Sequence, residues 1–240
     1  MTPSGARLAS RADPAPDHRA FRERVLSSLP EGKLAYVPGG VAQTRNGVEG
    51  NARFRQEPNF LYLTGVTEPG YHALFGTGSD APYVLIAPRQ PQEMDVWCGA
   101  QPSRDELRAR HGADIVYYDD EWDKALRAVD ALEGQTVFVP THQKEGEEAF
   151  PAPLPCDRDG LFLGLRPEHT ALTKALAACR AIKTEEELAC LRLANDVSGD
   201  AHVAAWRHCA ANGGDVFEFE VEATFAAETM RLGLRHLGYP

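Results

Sequence analysis

Carboxylates stand in three runs along this chain: Asp119-Asp120-Glu121, Glu145 through Glu148, and Glu185-Glu186-Glu187. Acids at such density could in principle serve a hydrolytic two-metal centre, whose ligands must converge so that the ions lie about 3.5–4 Å apart. Neighbours in sequence on loops or helix starts cannot converge in that way, and these runs are expected to be solvated faces and helix caps. The eight histidines are scattered, and His202 and His208, six apart, fall on different sides of a helix. No H-E-x-x-H, G-x-S-x-G, Walker or dinucleotide-binding glycine pattern occurs. Five cysteines at wide spacings, Cys98, Cys156, Cys179, Cys190 and Cys209, include no C-x-x-C pair, which indicates reduced thiols rather than a disulfide framework or zinc knuckle. The residues alone therefore predict no catalytic group and no metal ligand set within this chain.

The elements that would position any site follow from periodicity. HRAFRERVLSSL (18–29) spaces Phe21, Val25 and Leu29 by four, the apolar stripe of a first helix. LAYVP (34–38), FLYLTG (60–65), YHALFG (71–76), YVLIAP (83–88), DIVYY (114–118) and TVFVP (136–140) are short, apolar and bounded by Gly, Pro or Asp, and are predicted strands. In the second of these, Phe60 and Tyr62 alternate with Leu61 and Leu63, as in a strand covered on both sides. SRDELRARHG (103–112) and DDEWDKALRAVDALEG (119–134) are predicted helices closed by glycine. This mixture predicts an α/β domain on a mixed sheet. KEGEEAFPAPLPCDRDG (144–160) is expected to be a surface loop.

Beyond residue 172 the composition turns helical. Thr184 and Glu187 have the spacing of a capping box, opening a long helix that ends at Gly213-Gly214. Asp215 to Glu218 repeats that spacing, with Asp215 as expected cap of a second helix reaching about residue 232. A helical hairpin without a sheet to lie on is part of a domain.

The composition, 43% hydrophobic and 25% charged, is that of a globular protein, and the formal net charge of −10 argues against nucleic acid or an anionic membrane as partner. No apolar run approaches the roughly 18 residues of a spanning helix, and the N-terminus lacks the apolar segment of a secretory signal. A cytoplasmic location is expected.

FRQEPNFLYLTGVTEPG (54–70) resembles the N-terminal domain of the Xaa-Pro aminopeptidases and Xaa-Pro dipeptidases, the creatinase-like proline peptidases. RAIKTEEELACLRLAN (180–195) resembles the segment in which an Arg...Lys-Thr/Ser-x-x-Glu cap opens their catalytic domain. The resemblance extends from about residue 21 to Pro240 and is weakest over 135–169. It implies an α/β fold in which a mobile N-terminus (1–18) precedes a creatinase-like N-terminal domain (19–175), a mixed β-sheet flanked by helices. The first helical hairpin of an incomplete α+β pita-bread domain (176–240) would follow.

The implied activity is a metal-dependent exopeptidase releasing the residue before proline, an Xaa-Pro aminopeptidase. An Xaa-Pro dipeptidase, a creatinase-like hydrolase of another amide, and a non-catalytic N-terminal fragment are the alternatives. In the family two aspartates, a histidine and two glutamates hold two divalent metal ions, manganese or zinc, that activate the attacking water. Relatives reach their first catalytic histidine shortly after a Tyr-Pro or similar step. Tyr239-Pro240 matches that step, so the chain is expected to stop before any metal ligand and to be inactive alone. Implied partners are peptides with proline in the second position and further copies of the chain, as a homodimer or homotetramer.

Three residues take implied substrate-binding roles. Trp97, in MDVWCGAQPS (94–103), matches the place where a family tryptophan reaches a substrate pocket. Glu49 falls where relatives often carry an acid near the active-site mouth, a solvated loop charge being the alternative, and Tyr239 would line the cleft or cap the sheet that follows. Arg55 and Gln56 offer planar donors able to tie their loop to backbone carbonyls.

Overall fold

The computed structural model describes residues 16–43, 53–78, 81–142, 150–151, 164–236 and 238. The chain divides into two compact units, one spanning Asp17–Ile182 and another built on Lys183–Pro240.

The first unit is organised by a sheet in the order β4-β3-β2-β1-β5-β8. Its strands are β1 (Leu34–Pro38), β2 (His72–Gly76), β3 (Tyr83–Ala87), β4 (Ile115–Tyr118), β5 (Thr136–Phe138) and β8 (Arg166–Glu168). β1, β2 and β3 pair antiparallel, whereas β4, β5 and β8 join in parallel, giving a mixed sheet. β6 (Thr141–His142) and β7 (Phe150–Pro151) form a separate two-stranded ladder.

The central strands are apolar on both faces because both are covered. Ala35, Val37, Ala73, Phe75, Leu85 and Ala87 join one apolar cluster; Leu34, Tyr36, Leu74, Val84, Ile86 and Val137 join the other. This is the period-two alternation of a strand. Helices α1 (His18–Leu26), α2 (Pro58–Thr64), α4 (Arg104–His111) and α6 (Ala171–Ala181) add Val25, Phe60, Leu63, Leu107, Leu172 and Leu176 to the first cluster. α5 (Trp122–Ala128) adds Ala125 and Leu126 to the second. A short helix α3 (Asp95–Cys98) lies in the excursion between β3 and α4.

One expected strand is a helix. FLYLTG lies in α2, where a Glu57 carboxylate oxygen accepts from Phe60 N at 2.6 Å, Pro58 opens the first turn, and Gly65 closes the last with φ 68°. An apolar run this short fits either period, and the flanking cap residues decide it. Phe60, Leu63 and Thr64, spaced three and four apart, are all buried. The first helix ends at Leu26, earlier than its apolar stripe, but Leu29 is still buried in the turn that follows.

In the second unit, α7 (Glu185–Ala211) starts at the expected capping box: Glu187 N donates to Thr184 Oγ1, and Thr184 N donates to Glu187 Oε2 at 2.9 Å. α8 spans Glu218–Arg231. Its cap is not Asp215, whose N–H donates to Asn212 O in the turn after α7; Glu220 instead accepts from Phe217 N at 2.7 Å. The hairpin closes through buried Ala201 and Ala205 and a His202–Phe225 ring contact at 4.9 Å. No described helix is long and apolar enough to cross a membrane.

Candidate functional site

The excursion carrying Trp97 leaves the carboxyl end of β3 and is held by two glutamines. Gln101 Nε2 donates to Pro88 O at 2.6 Å, and its Oε1 accepts from Gln90 N at 3.1 Å. Gln90 Nε2 donates to Asp95 Oδ1 at 2.6 Å and to Gly99 O at 2.7 Å, spanning α3 from first residue to cap. Gly99, at φ 79°, turns the chain back. The side chains between those anchors point away from the core: Val96 is 85% exposed and Trp97 82%.

The base of this excursion is a charged cluster. Arg89 makes a two-point contact with Asp120, at 2.6 and 2.8 Å, and its guanidinium lies 4.2 Å from the Tyr118 ring centre. Arg104 also lies over Tyr118 and reaches Glu121 at 2.6 Å, while Lys124 reaches the other Glu121 oxygen at 2.9 Å. The Lys124 hydrogen bond, then those from Tyr118 N and Arg104, pull the Glu121 carboxyl down to about 2. Glu121 thus stays ionised, its charge used in fixing α5 and α4 beside β4.

A second anchored region lies at α2. Gln56 is buried and ties three segments: its Oε1 accepts from Gly40 N at 2.6 Å and Glu57 N at 2.8 Å, and its Nε2 donates to Glu68 O at 2.7 Å. The expected carbonyl tie is therefore made by Gln56. Asn59 Nδ2 donates to Glu57 Oε1 at 3.0 Å, leaving its Oδ1 to accept from Arg180 Nη1 at 2.5 Å. Arg24 Nη2 donates to Tyr62 Oη at 2.5 Å and to Cys179 O at 2.6 Å.

Of the expected substrate-contacting residues, Trp97 stands exposed on α3, and Glu49 and Tyr239 lie outside the described residues. Among the described residues no three histidine, cysteine or acidic side chains gather where they could hold a metal ion, and no chemical step follows from them through one. Residues 90 and 101 were not legible as anchors, because a glutamine's role depends on where the fold brings its two-sided amide.

Residues 18–138 match the family described as "Aminopeptidase P, N-terminal domain". The chain is 28% identical over 229 residues to a probable Xaa-Pro aminopeptidase of Pyricularia oryzae, covering 94% of this chain and 46% of that protein. It is also 28% identical over 224 residues to an Xaa-Pro dipeptidase of Pongo abelii, covering 91% of this chain and 42% of the relative. The chain thus spans less than half the length of these two relatives. The fold is that of zinc-substituted Escherichia coli aminopeptidase P in complex with product, with a TM-score of 0.71 at 21% identity, covering 93% of this chain and 51% of that one. On the match across its sheet domain, this chain belongs to the aminopeptidase P family, with Xaa-Pro aminopeptidases and Xaa-Pro dipeptidases as its relatives.

Proposed function

We propose that this chain is the N-terminal part of an enzyme that hydrolyses peptides at an Xaa-Pro bond, releasing the residue before proline. The observation that carries this reading is the similarity to a probable Xaa-Pro aminopeptidase over 94% of the chain, continuous from the sheet domain into the helical hairpin. The reaction would be performed by residues beyond those of this chain, with divalent metal ions supplying the activated water; zinc in a related enzyme supports that cofactor class. The described residues would supply a scaffold and, through Trp97, part of the substrate rim. Glu49 and Tyr239 are proposed to share that rim, and the apolar exposure of Val96 and Trp97 supports self-association as a dimer or tetramer.

The similarity to an Xaa-Pro dipeptidase at the same 28% identity keeps that specificity as a second reading. The deciding experiment expresses the complete reading frame, adds manganese or zinc, and compares a dipeptide with a tripeptide, each with proline second. Release of the first residue from the tripeptide supports the aminopeptidase; turnover of the dipeptide alone selects the dipeptidase. Turnover of neither, with metal bound, overturns the peptidase reading.

A further inference from the structure

We propose that Asn59, Arg180, Tyr62 and Arg24 form a positioning clasp that fixes the last turn of α6, and with it the direction in which the chain leaves the Asp17–Ile182 unit. The proposal rests on the preceding reading only for its consequence in catalysis.

The first part of α6 is anchored by Leu172 and Leu176, both buried in the apolar core. Its end is held less firmly by apolar contact: Ala177, Ala178 and Ala181 are exposed, Arg180 is half-buried, and Cys179, also half-buried, is the one side chain of this turn packed against the core. A helix end with so little apolar burial frays unless its last carbonyls, which have no partner within the helix, are bonded from elsewhere. Here the end is held by polar groups. Arg24 donates to the Cys179 carbonyl, and Asn59 accepts from Arg180.

The partners are themselves immobilised. Asn59 is oriented by Glu57, whose other oxygen caps α2. Tyr62, which receives the second Arg24 bond, stacks on Phe21 with ring centres 4.4 Å apart, and the Arg180 guanidinium lies 5.7 Å from the Tyr62 ring centre. Such a planar, two-sided arrangement sets an angle as well as a distance. Only Ile182, Lys183 and Thr184 separate α6 from α7, so about 10 Å of extended chain at most lies between the clasped end and the next capped helix. A loosened last turn would pass its freedom to that short link, whereas α6 itself would remain docked by its leucines.

The test uses the 240-residue chain carrying spin labels at Glu133→Cys and Ala178→Cys, both exposed and both within the Asp17–Ile182 unit, in a background in which the five native cysteines are replaced by serine. Asn59→Leu is expected to broaden the label-to-label distance distribution by about twofold or more and to speed amide exchange across 177–184, with exchange in β1 to β3 unchanged. The double variant Glu57→Gln/Asn59→Asp, which reverses the donor and acceptor of the 57–59 bond and keeps the acceptor for Arg180, is expected to restore the narrow distribution. An unchanged width in Asn59→Leu overturns the proposal, as does loss of protection throughout β1 to β3, which would show ordinary unfolding. In the complete enzyme, Asn59→Leu is expected to lower kcat/KM by tenfold or more at a temperature well below its melting point; unchanged kcat/KM overturns the catalytic consequence. A complete wild-type enzyme without Xaa-Pro activity would overturn the function proposed above, while the distance measurement would still decide the clasp.

Discussion

Asn59 Oδ1 lies 2.5 Å from Arg180 Nη1, joining residues 121 positions apart. They come from the two stretches that carry the family resemblance, and Arg180, the first residue of the second stretch, still lies within the Asp17–Ile182 unit. The Asn59 amide is used on both sides, donating to Glu57 while accepting from Arg180, and an aliphatic replacement would lose both bonds.

Tyr62→Phe keeps the ring that stacks on Phe21 and removes only the hydroxyl that accepts from Arg24. A hydrogen bond to a charged group contributes about 1.5–3 kcal/mol, and the remaining Arg24 bond to Cys179 O offsets part of its loss. Urea denaturation of the 240-residue chain should show a loss of about 1–2 kcal/mol with unchanged m-value.

Gly65→Ala should destabilise by about 1–3 kcal/mol, because the residue ends α2 at φ 68° and a β-carbon there would sit 2.6 Å from His18 Cδ2. His18 cannot simply swing away without losing its Nδ1 contact with Tyr62 O at 3.0 Å. Thermal melting checks this, and Gly134→Ala, also at positive φ but in open space, should cost less.

His72 should make the sheet domain sensitive to mild acid. Burial lowers its pKa from 6.5 to about 4, against the smaller opposing effect of Asp119, and its Nδ1 lies 2.9 Å from Tyr36 Oη. Because the folded-state pKa lies below the unfolded one, the unfolded chain binds the extra proton. Stability is therefore full above about pH 6.5 and is lost as pH falls toward 4, by roughly 2–3 kcal/mol. His111, also lowered by burial, acts in the same direction. Glu121 contributes only below its usual value of 4.5, down to about 2, so the two ranges are separable. His72→Gln should flatten the melting temperature between pH 7 and 4.5 relative to wild type.

Trp97→Ala should leave stability within about 0.5 kcal/mol, since the side chain is exposed. In the complete enzyme it should raise KM for Xaa-Pro peptides several-fold with a smaller change in kcat. An equal change in melting temperature and activity would assign Trp97 a packing role instead.

What the sequence by itself determined was local. Short apolar runs bounded by Gly, Pro or Asp defined β1, β2 and β3, and the Thr184/Glu187 pair defined the start of α7, because run length, chain breakers and end-capping depend on residues within a few positions of each other. Phe21, Val25 and Leu29 likewise identified a buried stripe from spacing alone. Local signals failed at two places: the apolar run at 60–65 suited a strand as well as a helix, and the box spacing at Asp215 marked a cap that the structure instead makes through Glu220 accepting from Phe217 N. Only the tertiary structure decided that Gln90 and Gln101 would stitch the Trp97 excursion, that Gln56 would join three segments, and that Arg180 would find Asn59. Amide and guanidinium groups accept many partners, and which one each meets depends on how the sheet and helices bring distant backbone together, a relation that spacing along the chain does not encode.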